Sequence, residues 1–222
     1  MSDRDSDSAG ADAGFRQLLD YFSLVRQQPL KPVPHPDREV NELIRGLEDS
    51  LRRASVLIPV TRHSADQESQ VVLTVRSENL RNHAGQISFP GGSSEPGDAD
   101  TAATALRETE EEIGINAKEV EVLGKLGDMA LPSGFLVTPI VGLIEPGLAF
   151  TPCPEEVADV FQVPLSLILD PSAYRASTWE YQARNRRVLE LYYEDYRIWG
   201  VTAAMLFHLA SEVSTASTLD SL

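Results

Sequence analysis

The chain has 222 residues, 42% of them hydrophobic, enough to bury a sizeable core within one domain and a short accessory segment. Its 34 acidic and 19 basic residues give a formal net charge of -15, so the long-range field opposes docking on a nucleic acid backbone or an anionic membrane and favours a small-molecule partner. A single cysteine, Cys153, excludes an intrachain disulfide and a cysteine-built zinc site; with no apolar run near the roughly 18 residues that span a bilayer and no targeting pattern at the start, the expected location is cytoplasmic.

In chain order, residues 1–13 are small and polar and predict a disordered tail. Phe15 to Val25 predicts a short helix, broken by the proline-rich QQPLKPVPHP. From Asp37 to Arg53 the residues Val40, Leu43, Ile44, Leu47 and Leu51 recur at helical spacing and predict a second helix with one face on the domain. Residues 14–53 thus read as a helical extension, open to three roles: completing a pocket, forming a homodimer interface, or covering the domain. The domain itself is expected over residues 54–210. ASVLIPVTR and SQVVLTVRS read as strands around the polar turn HSADQE, followed by a glycine-rich turn. Ala99 to Ile113 predicts a helix stopped by Gly114. EVEVLGKL and GFLVTPIVGLI read as strands, EEVADVFQV as a short element before Pro164, and LELYYEDYRIWG as further sheet. A last helix is predicted from about Val201 to Ala210, with residues 211–222 fraying.

The helix after the glycine turn crowds Glu108, Glu110, Glu111 and Glu112 into five residues. At about 100° per residue, Glu108 and Glu112 stack one turn apart and Glu111 lies on the same broad side, while Glu110 points away and Ala102, Leu106 and Ile113 take the core side. Like charges at that spacing repel, and Arg107 offsets only part of the repulsion. The run is either a solvated acidic face or a seat for a divalent cation, and carboxylates suit Mg²⁺ or Mn²⁺.

RETEEEIGI, Arg107 to Ile115, closely resembles the core of the Nudix box, with Thr109 in a usually apolar place. The opening glycine of the box would fall on Ser93, one residue beyond Gly92, and its midway glutamate is replaced by Ala99 or, with the extra residue placed later, Asp98. Upstream, LTVRSENLRNHAGQISFPGG resembles the signature of the coenzyme A pyrophosphatase branch of the same family, carried by Leu73, Thr74, Arg76, Ser77, Arg81, Gly85, Phe89, Pro90, Gly91 and Gly92. The resemblance implies an α/β fold, a Nudix-like alpha-beta-alpha sandwich with a mixed β-sheet. It further implies metal-dependent hydrolysis of the diphosphate of coenzyme A or acyl-coenzyme A to (acyl-)phosphopantetheine and adenosine 3',5'-bisphosphate. The alternatives are ADP-ribose or dinucleoside polyphosphates as substrate, or a catalytically silent nucleotide-binding protein of the same fold.

Carried over residue by residue, Glu108, Glu111 and Glu112 would bind Mg²⁺ or Mn²⁺, with Gly91 or Gly92 contributing a carbonyl. Arg107 would orient the carboxylates. Glu108, or a glutamate beyond the box, would accept the proton of water; Glu156 is the candidate there, with an ordinary surface acid as the plainer reading. Arg76 and Arg81 would bind phosphate, or else close salt bridges, and Gly91 lies where substrate would pass. His83 and Phe89 read as structural, Ser94 and Asp98 as supports of the turn, and Arg184, Arg186 and Arg187 among tyrosines as either a basic aromatic patch or ordinary strand packing.

Overall fold

The computed structural model describes residues 3–25, 29–80, 83–181 and 184–219. Two helices, α1 (Asp3–Val25) and α2 (Arg38–Ile44), precede strands β1 (Arg52–Thr61), β2 (Gln70–Arg76), β3 (Ile87–Ser88) and β4 (Gly91–Ser93). Helix α3 (Thr101–Ile113) leads to β5 (Glu121–Lys125), β6 (Met129–Leu131), β7 (Phe135–Ile144) and β8 (Val157–Pro164). The short α4 (Leu165–Ile168), then β9 (Arg175–Tyr181), β10 (Arg184–Tyr193), β11 (Tyr196–Trp199) and α5 (Gly200–Leu219), complete the chain.

The apolar runs of β1 and β7 pair in parallel along their whole length, from Arg52 opposite Phe135 to Thr61 opposite Ile144, as strands covered on both faces do. Around them the sheet is otherwise antiparallel, in the order β3-β2-β1-β7-β5, with β4 added to β1, β6 to β7 and β8 to β2. Alternate residues of β1 serve different layers: Leu57 packs with Ala105 and Ile140 beneath α3, whereas Ile58 and Val60 join the main core with α1 and α5. The result is an alpha-beta-alpha sandwich on a mixed sheet. A second sheet, β11-β10-β9, leans on α5 through Leu191 and Ile198. Among the described residues no helix is long and apolar enough to cross a membrane.

Several boundaries depart from the sequence reading. Helix α1 begins at Asp3, inside the stretch expected to be disordered; once Leu18, Tyr21 and Phe22 anchor it in the main core, extending it backward adds a hydrogen bond for each residue fixed. Phe22 packs so closely on β5 that a Cβ at Gly124 would lie 2.7 Å from its ring. The second predicted helix stops at Ile44, because Gly46 turns to φ 80°. Leu43 and Leu47 are consequently exposed rather than packed on the domain. Helix α5 runs to Leu219, well past Ala210, since Val213 is buried and Ala216 packs against the core.

Candidate active site

Helix α3 is set by its ends. The side chain of Asp100 accepts from the Ala103 amide at the start, and Gly114, left-handed at φ 76°, closes the other end with its amide donating to the Glu110 carbonyl. Between them, Thr109 fills its usually apolar place fully buried by donating its hydroxyl to the Ala105 carbonyl at 2.6 Å. With that side fixed on the sheet, Glu108 and Glu112 face the glycines of β4.

The expected glycine turn is in fact a strand. Gly91, Gly92 and Ser93 lie opposite Val56, Ser55 and Ala54 of β1; at Gly91 the backbone of β1 leaves no space for a side chain, and at Gly92 a side chain would displace the Glu108 carboxylate. A Cβ on Gly91 would lie 2.4 Å from the Ser55 carbonyl oxygen, and one on Gly92 would lie 2.3 Å from Glu108 Oε2. The Gly91 amide donates to Glu112 Oε2 at 3.1 Å, which ties the buried end of α3 to the sheet.

Glu112 is only 3% exposed, and burial pushes its carboxyl up to about 7; Glu156 and Glu108 push the same way, against the Gly91 amide and Arg76. Burial likewise raises Glu108, opposed by Arg107 and reinforced by Glu111 and Glu156. Arg76, at the end of β2, approaches Glu112 Oε1 at 3.8 Å with its side chain 26% exposed. It arrives there because β2 and β3 pair Thr74 with Ser88 and Val75 with Ile87. Glu156 enters from the start of β8: its own side chain is exposed, and its carbonyl accepts from the Ser77 amide at 2.8 Å just beyond Arg76.

Arg107 is the hub of the other half. It meets Glu108 at 3.0 Å and Glu111 at 3.1 Å, donates to the Ser93 carbonyl at 3.0 Å, and grips Asp98 through Nε at 3.0 Å and Nη2 at 3.2 Å. Asp98 in turn holds its carboxyl well below the usual range, chiefly through Arg107. Glu111 keeps its side chain 60% exposed at the rim, and Glu110 turns away to accept from Asn116.

Of the site residues expected from sequence, Arg76, Gly91, Gly92, Arg107, Glu108, Glu111, Glu112 and Glu156 thus lie in one region. Arg81 lies outside the described residues. His83 bonds Gln86, Phe89 is buried, and Arg186 pairs with Asp37 and Glu39, which favours the packing reading of that patch over a ligand site. Asp98 supports the turn as expected, accepting from the Glu95 amide and the Thr104 hydroxyl, and it also binds Arg107, a contact signalled by an acid at the place where the box lacks its midway glutamate.

Among the described residues, no three Asp, Glu, His or Cys side chains already converge as a cation ligand set. The donor chemistry nonetheless fits a hard divalent cation: Glu112 is raised chiefly by burial and further by Glu156 and Glu108, a cost that positive charge relieves, and every candidate donor is oxygen. Glu108 and Glu112 are the residues that would hold Mg²⁺ or Mn²⁺, with Glu111 and Glu156 at the margin.

A NUDIX-domain family profile matches residues 51–179. A protein of Photorhabdus laumondii, named uncharacterized Nudix hydrolase NudL, is 44% identical over 196 residues, spanning 88% of this chain and 99% of that one. A protein of the same name from Yersinia pestis is 45% identical over 163 residues, 73% of this chain and 80% of the other. Among solved structures, a Nudix hydrolase from M. smegmatis, RenU, is 16% identical with a TM-score of 0.48, covering 74% of this chain and 86% of that one.

Proposed function

This chain belongs to the Nudix family, and from that premise we propose that it hydrolyses the diphosphate bond of coenzyme A and acyl-coenzyme A, using Mg²⁺ or Mn²⁺. The observation that carries the hydrolytic reading is the convergence of Glu108 and Glu112 on the glycines of β4, with Glu112 buried and bonded by the Gly91 amide and Glu108 held by Arg107. A bound divalent cation would neutralise charge on the diphosphate oxygens and make an attacking water more acidic. The rest falls to the protein. Glu112, anchored by the Gly91 amide, and Glu108, held by Arg107, supply the negative charge that fixes the cation. Arg76, partly exposed beside Glu112, pairs with a substrate phosphate in this reading. Glu156, an exposed carboxylate whose charge acts on both Glu108 and Glu112, takes the role of proton acceptor.

Support for coenzyme A in particular is the resemblance of the run from Leu73 to Gly92 to the signature of the coenzyme A branch. The test is a panel of coenzyme A, a short acyl-coenzyme A, ADP-ribose and diadenosine polyphosphates, with and without Mg²⁺, with products identified by mass. The expected result is adenosine 3',5'-bisphosphate and phosphopantetheine at the highest kcat/KM. Better turnover of ADP-ribose or a dinucleoside polyphosphate, with no 3',5'-bisphosphate from coenzyme A, overturns the substrate and leaves the reaction class standing. No product from any of them favours a silent binding protein.

A further inference from the structure

The strongest cluster of polar contacts that the proposed reaction does not use surrounds Asp98, in the loop between β4 and α3. Its side chain is only 8% exposed and every bond it makes is directed. Oδ1 accepts from Arg107 Nε at 3.0 Å, while Oδ2 accepts from Arg107 Nη2 at 3.2 Å, from the Thr104 hydroxyl at 2.9 Å and from the Glu95 amide at 2.9 Å. The Asp98 amide returns a bond to the Glu95 carbonyl at 3.0 Å, and Thr104 also reaches the Ser94 hydroxyl at 3.2 Å. The loop is further pinned to β1, since the Ser94 amide donates to the Arg53 carbonyl at 3.0 Å.

A guanidinium gripped along its Nε–Nη2 edge by a carboxylate has lost its rotational freedom, and its remaining donors point where the grip leaves them. For Arg107 those donors meet Glu108 and Glu111. A Thr104 hydroxyl and a backbone amide fix the carboxylate in turn, so the geometry runs without a loose joint from β1 through the loop to the two glutamates. Ala99, next in sequence, has no group that could do this.

We propose that Asp98 is a positioning residue of the active site: it fixes Arg107, and through Arg107 the carboxylates of Glu108 and Glu111, which lets the lengthened entrance between Gly92 and α3 keep those carboxylates in register. The cation-binding part of its test rests on the functional reading above; the fixing of Arg107 does not.

The experiment compares wild type with Asp98→Ala, Asp98→Asn and Asp98→Glu. Thermal unfolding first establishes that each variant is folded. Nitrogen-15 NMR then follows the Arg107 Nε–H, assigned by its loss in Arg107→Lys, and calorimetric titration with Mn²⁺ alone measures cation affinity without reference to turnover. A slowly exchanging Nε–H in wild type is expected to disappear in Asp98→Ala, with Mn²⁺ affinity lower by about tenfold or more. Asp98→Asn, which offers one oxygen in place of two, should show a partial loss, and Asp98→Glu should recover part of both signals. If wild type binds no Mn²⁺ while the Nε–H still depends on Asp98, the metal reading fails and the positioning of Arg107 stands. An Nε–H indifferent to Asp98, or Mn²⁺ affinity within twofold of wild type in a folded Asp98→Ala, overturns the proposal; a lowered Tm alone marks a plain loop staple and overturns it equally.

Discussion

Replacing Glu112 by glutamine separates a carboxylate held for a cation from one held for the fold. In the metal-free protein, burial raises the Glu112 carboxyl from its ordinary 4.5 to about 7. Between those values the native state binds the proton more tightly than the unfolded chain, so stability is full below about 4.5, falls as pH rises and stays reduced above about 7. That difference corresponds to at most about 3 kcal/mol at pH 8. Glutamine keeps the volume and, through its amide oxygen, the bond from the Gly91 amide; the 3.8 Å attraction of Arg76 is already contained in the shift, while burying the amide's polar N–H groups offsets about 1–2 kcal/mol of the gain. The metal-free Glu112→Gln protein should therefore be about 1–2 kcal/mol more stable than wild type at pH 8 and no more stable at pH 4.5. For a chain of this length that is a Tm rise of roughly 2–8 °C. Added Mg²⁺ should raise the Tm of wild type and leave the variant unmoved, and turnover of the variant should fall more than about 100-fold. Thermal unfolding at the two pH values with and without Mg²⁺, beside a turnover assay, measures all of this. A variant less stable than wild type at pH 8 without metal, or one that keeps near wild-type turnover, refutes the reasoning.

The two glycines of β4 should respond differently to alanine. Gly91→Ala drives a Cβ into the Ser55 backbone and should destabilise by about 1–3 kcal/mol or more by chemical denaturation. Gly92→Ala meets only the movable end of Glu108, so stability should change by less than about 1 kcal/mol, while Mn²⁺ affinity falls about tenfold. Arg76→Gln should raise KM for the diphosphate by about tenfold. It also removes the cation that favours charged Glu112, so the pH at which Mg²⁺ begins to raise the Tm should move upward. Glu110→Gln, at a side chain that accepts from the exposed Asn116 amide, should leave stability within about 0.5 kcal/mol and kcat/KM unchanged; an equal loss there would assign the Glu112 effect to the charge of the helix as a whole.

What the sequence disclosed follows from how local each signal is. Helix α3 was readable because a 3.6-residue apolar stripe and a terminating glycine lie within one segment, and β1, β2 and β7 because their apolar runs exceed what a turn can hold. Strand β4 was not, since Gly91 and Gly92 have no side chains to show a strand period and their pairing partners lie on β1, far upstream. Strand β9 was missed for a related reason: RASTWEY has little apolar alternation, and β10 supplies its pairing. The predicted second helix failed because an apolar spacing is a necessary condition for a helix, and Gly46 ends it whatever lies beyond. In the candidate site, the gathering of the carboxylates on one side of α3 was legible, but their unequal burial was not. Glu112 and Glu111 are neighbours in sequence, one buried against Gly91 and the other at the rim, and only the placement of β4 distinguishes them.

That inequality gives the site two independently anchored halves. Glu112 is fixed from the sheet, by the amide of Gly91, where the β1 backbone admits no side chain. Glu108 and Glu111 are fixed from the loop, by an arginine that Asp98 and the Ser93 carbonyl hold in place. The sheet half is stiff, because moving Gly91 means breaking its pairing with Val56, whereas the loop half moves if a single carboxylate lets go. A cation shared between them would join a rigid donor to an adjustable one. Weakening the loop anchor should therefore lower affinity while leaving the proton affinity of Glu112 near its original value, since the leading cause of that shift, burial against β4, is untouched.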